Sequence, residues 1–96
     1  MTFEKFLHKL QQTGWALGWK SDSGGGLRSH LGGCPITEVC RVVNGKSHAL
    51  NEYLTAADLL GMPEELARNI MTAADGETQN PYIRPLREQM LTVINL

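Results

Sequence analysis

His30, Cys34, Cys40 and His48 are the side chains of this 96-residue chain whose types and spacing suggest chemistry first. A thiol just ahead of a helix that opens with Pro35 sits near free backbone N–H groups, which favour its thiolate form. His30, four residues earlier, is a candidate imidazolium partner. Gly32 and Gly33 between them leave room for a substrate backbone, which makes a Cys34-dependent enzyme one reading. No orienting acid lies close in sequence, and no characteristic nucleophile motif surrounds Cys34. The same four residues invite a zinc reading, but structural zinc sites draw close ligand pairs from turns. Cys40 falls instead between Val39 and Val43 on an apolar helical stripe, which predicts a small core residue and no metal.

Ser23-Gly24-Gly25-Gly26 resembles a phosphate cradle only in its glycines, because the Gly-Lys-Ser/Thr ending is missing. It is expected to be a hairpin tip. Around it lie Trp15, Trp19, Lys20, Arg28 and His30, an aromatic and basic set in the one interval that helical periodicity does not explain. Trp19, Lys20, Arg28 and His30 are therefore the expected partner-binding residues, with no catalytic residue assigned.

The elements that must hold these residues follow from apolar spacing. Thr2 caps a first helix with Phe3, Phe6, Leu7 and Leu10 on one face, ending near Gly14. Glycines at 14, 18, 24, 25, 26, 32 and 33 then exclude helix, and a strand through Ala16 to Trp19, a turn through Ser21 to Gly26 and a return through Leu27 to Ser29 make a hairpin. Pro35 opens a second helix with Ile36, Val39, Cys40 and Val43 inward, closed by Asn44-Gly45. A third carries Leu50, Tyr53, Leu54, Ala57 and Leu60 and begins at Ser47 or at Thr55. Pro63 is expected at the first position of a fourth, with Leu66, Ala67, Ile70, Ala73 and Ala74 inward and Gly76 at its end. After the polar connector Glu77 to Asn80, Pro81 and Pro85 lead into a last helix with Leu86, Met90, Leu91 and Ile94. A mainly α single domain over residues 1–96 is expected, a compact bundle of about five short helices with a small β-hairpin inserted after the first.

Leu60-Gly61-Met62-Pro63 stops one helix and starts another, and with Ala56-Ala57 before and Ile70 after it the segment Thr55 to Thr72 resembles a helix-turn-helix. The resemblance implies a DNA-reading second helix. That helix opens on Glu64 and Glu65, with only Arg68 basic nearby, and carboxylates set against phosphate weaken binding.

Net charge is −1 overall but uneven: residues 1–48 carry +3 and residues 49–96 carry −4. Such a chain does not recruit a polyanion through bulk charge. Neither a leader-like apolar run behind a basic flank nor a stretch of about 20 apolar residues is present. On one helix, six residues would set Cys34 and Cys40 about 9 Å apart, beyond disulfide reach, so reduced thiols and a cytoplasmic location are expected. The expected function is a small protein-binding or regulatory module without catalytic activity or cofactor, whose partner is another protein or itself. A nucleic-acid-binding regulator is the alternative, and a membrane partner is not expected.

Overall fold

Each helix forms where the chain supplies both an apolar stripe and an end signal. A computed structural model describes residues 1–13, 18–22, 24–45, 53–77 and 79–94. Helix α1 (Phe3–Thr13) begins at Thr2, whose hydroxyl accepts the Lys5 N–H at 3.1 Å. Strands β1 (Lys20–Ser21) and β2 (Leu27–Arg28) pair antiparallel, with Lys20 opposite Arg28 and Ser21 opposite Leu27. Helix α2 (Pro35–Asn44) has Pro35 in its first turn and ends at Gly45, whose φ of +72° lets its N–H reach the Arg41 carbonyl at 2.8 Å.

Helix α3 (Tyr53–Leu60) stops at Gly61, where φ is +60° and the following Met62 N–H returns to Ala57 O at 3.0 Å. Helix α4 (Glu64–Ala74) starts one residue later than expected, because Pro63 is its extended cap residue and not its first helical one. Helix α5 (Arg84–Val93) is led in by Asn80, whose side-chain oxygen accepts the Tyr82 N–H at 2.8 Å. Of the first strand expected over Ala16 to Trp19, Trp19 directly precedes β1, and positions 14–17 lie outside the described residues. Ser47 to Glu52 lie outside them as well.

The helices pack as pairs around one core: α1 against α2 and α5, α3 against α2 and α4, and α4 against α2 and α5. The Cα radius of gyration, 11.8 Å, is what a single globule of this length requires, about 12.5 Å. Phe6, Leu10, Leu27, Ile36, Ile70 and Met90 are among its largest fully buried apolar side chains. Ala56 and Ala57 of α3 and Ala67 and Ala73 of α4 are buried in this core. Val43 departs from the expected stripe and is 41% exposed. No described helix is long and apolar enough to cross a membrane.

Candidate functional site

The hairpin is built by Asp22. Its carbonyl accepts the Gly25 N–H at 2.9 Å, its own N–H donates to Gly26 O at 2.8 Å, and its Oδ1 accepts the N–H groups of Gly24 and Gly26. Gly25 has φ +83°, the left-handed residue that closes a three-residue hairpin loop with a bulge. A second tight loop follows β2. Ser29 donates its N–H to Gly33 O at 2.8 Å, and its buried hydroxyl accepts the N–H groups of Leu31 and Gly33, both at 3.2 Å.

These two loops fix which side chains face outward. Leu27 is buried and Arg28 half-buried in β2, and in the loop that follows Ser29 is buried and His30 exposed. Lys20 stands opposite Arg28 on the outer face. His30 lies over Gly18, where an added Cβ would come within 3.6 Å of the His30 Cβ. Lys20, Arg28 and His30 therefore share one outward surface, with Leu31 beside it at 53% exposure.

Trp19 is a correction to the expected contact set. It is 6% exposed and joins Leu27 in the core, so its indole anchors the hairpin from beneath, and among the described residues its buried Nε1 has no hydrogen-bond partner. Trp19 directly precedes β1, and its side chain packs into the core while Lys20 stays in solvent.

Contacts with the α4–α5 connection hold the tip in place. Arg87, only 8% exposed, donates from Nη1 to Ala73 O at 2.8 Å and from Nη2 to Gly25 O. Gly76, with φ +106°, lies so close to the tip that a Cβ would fall 2.7 Å from Gly24 O. Arg28 reaches Asp75 at 3.4 Å and the Leu27 carbonyl at 2.8 Å. The sequence offered no sign of Arg87's role, since its partners are remote in sequence and are backbone atoms.

Glu38 was also not anticipated. It is fully buried in the first turns of α2, where its carboxylate accepts from Arg41 Nε at 3.3 Å and Nη2 at 3.4 Å. The Cys34 thiol, half-buried at the α2 cap, contacts Thr37 Oγ1 at 3.3 Å. Burial, with a smaller contribution from Cys34, pushes the Cys40 thiol up to about 11. Both cysteines are free. Among the described residues no three His, Cys, Asp or Glu side chains gather as a metal site; His48 lies outside them. On the α3–α4 pair, the exposed first turn carries Glu64 and Glu65, and Arg68 is paired with Glu64 at 3.1 Å.

Comparison of the chain with protein-family models, with curated proteins and with solved structures finds no match.

Proposed function

We propose that this chain is a small protein-binding module without catalytic activity of its own, and that the outer face of the β1–β2 hairpin is its contact surface. One observation carries this reading: Lys20, Arg28 and His30 point outward together from a hairpin whose other side and tip are fastened to the body. An isolated two-stranded hairpin is marginal in water, whereas one packed through Trp19 and Leu27 and tied by Arg87 offers a preformed surface. Preorganisation lowers the ordering cost of association. Two free thiols support a cytoplasmic setting for the module.

Immobilised chain, presented to lysate of its source, tests the reading when wild type, Lys20→Glu and Lys20→Arg are compared. Lys20 is exposed and makes no described ion pair, so neither change disturbs the core. Capture retained by Lys20→Arg and lost with Lys20→Glu is the expected pattern. Identical capture by all three would remove the hairpin face from the function.

A further inference from the structure

The two edges of the hairpin are chemically unequal. Asp22 and Gly26 form a hydrogen-bonded pair, so by antiparallel alternation Ser21 and Leu27 form a non-bonded pair and Lys20 and Arg28 a bonded one. The N–H and C=O of Ser21 and of Leu27 thus point away from the opposite strand. On the β2 side that edge is closed: Arg28 Nη1 occupies the Leu27 carbonyl at 2.8 Å, and Gly76 and Arg87 press against the adjoining tip. On the β1 side, among the described residues, nothing engages the Ser21 N–H or carbonyl, and Ser21 is exposed.

We infer that the outer edge of β1 accepts an extended acidic segment of another protein as a third strand. The inference rests on the contact surface proposed above and names its partner's chemistry. An unpaired strand edge supplies directed donors and acceptors for a partner's main chain, and side chains alternate to either face of the pair so formed. The outward position next to Lys20 is where the partner's carboxylate falls. Like charges directly opposite each other are unfavourable, and Lys20 and Arg28 are such a pair. Asp75 pairs with Arg28, while Asp22, two residues from Lys20 in sequence, spends an oxygen on the Gly24 and Gly26 N–H groups. A carboxylate beside Lys20 relieves that repulsion. A second copy of this chain, paired antiparallel through its own Ser21, would set Lys20 opposite an Asp22 whose Oδ1 already accepts two backbone N–H groups, and the experiment below separates that occupant from an acidic segment. The edge is two residues long, so the contact is weak and transient.

The probe is an eight-residue peptide alternating Val and Glu, titrated into isotopically labelled full chain while amide exchange and resonance shifts are followed. Saturation slows exchange of the Ser21 amide by about tenfold or more, and a peptide alternating Val and Lys has no effect. A Val-Glu peptide N-methylated on alternate residues keeps its charge and binds about tenfold more weakly, as loss of main-chain pairing requires. Equal binding by the methylated peptide, or an unprotected Ser21, overturns strand addition; equal binding of the acidic and basic peptides overturns the charge assignment. Ser21 protection that grows with protein concentration in the absence of peptide would make a second copy the occupant and overturn the inference. Ser21→Pro, which removes an outward N–H that the β1–β2 pairing does not use, separates the two proposals in the lysate experiment: capture lost with Lys20→Glu but kept by Ser21→Pro leaves the face and removes the strand.

Discussion

The guanidinium of Arg87 donates to the carbonyl of Gly25, joining α5 to the hairpin tip across 62 residues of sequence, and the same side chain binds the last carbonyls of α4 through Ala73. A cation at a helix C-terminus is favoured by the backbone dipole, and burial makes its two carbonyl partners expensive to lose. Arg87→Met keeps volume and removes both bonds. The expected loss is roughly 2–4 kcal/mol in denaturant unfolding, with the amides of Asp22 and Ser29 exchanging faster than those of α1. Uniform loss of protection throughout the chain would show that the arginine serves the core and not the hairpin.

Glu38 and Gly33 are bound by a second tight fit. A Cβ on Gly33 would overlap the Glu38 carboxylate, which cannot swing aside because it is enclosed and held by Arg41. Gly33→Ala is expected to destabilise by roughly 1–3 kcal/mol, and adding Glu38→Ala to it to cost less than the two single changes summed. Simple additivity in thermal or urea unfolding would contradict the fit.

The thiols differ by place. Cys34, half-exposed, is expected to react with iodoacetamide in the native chain, whereas Cys40, fully buried, reacts only as the chain unfolds. The folded-state value of Cys40, about 11, lies above its ordinary value of 9.0. Its contribution to stability is therefore complete below pH 9 and is lost as pH rises through the interval to about 11, when the unfolded thiol ionises and the folded one does not. Unfolding curves of wild type and Cys40→Ala should converge over that interval. Parallel curves would show that the buried thiol titrates normally.

The helices were legible because one stripe per segment and a stop signal at each end suffice to define them. Phe6 and Leu10, Ile36 and Val39, and Ile70 and Met90 all lie where spacing put them. Val43 did not, because a period says which positions share a face and not whether a neighbour reaches the last turn. The hairpin was legible as an interval, from its glycines, but its register was not. Asp22, by taking the Gly24 and Gly26 N–H groups, begins the loop one residue later than a turn from Ser21, and the strand that leads into it is Lys20–Ser21. Trp19, expected in the contact set but equally suited to anchor the hairpin, is core. Arg87 and Glu38 carry no local mark of burial, since each is held inside by groups that only the folded chain brings into place.

On the function proposed above, partners meet this chain on the outer face of the hairpin. Hydrogen exchange of the full chain, free and in complex with whatever protein it captures, tests it most directly. Protection gained at Lys20 and Ser21, and at His30 and Leu31, is the predicted result. Protection confined to the exposed side of α1, around Lys5 and His8, with the hairpin unchanged, would contradict it.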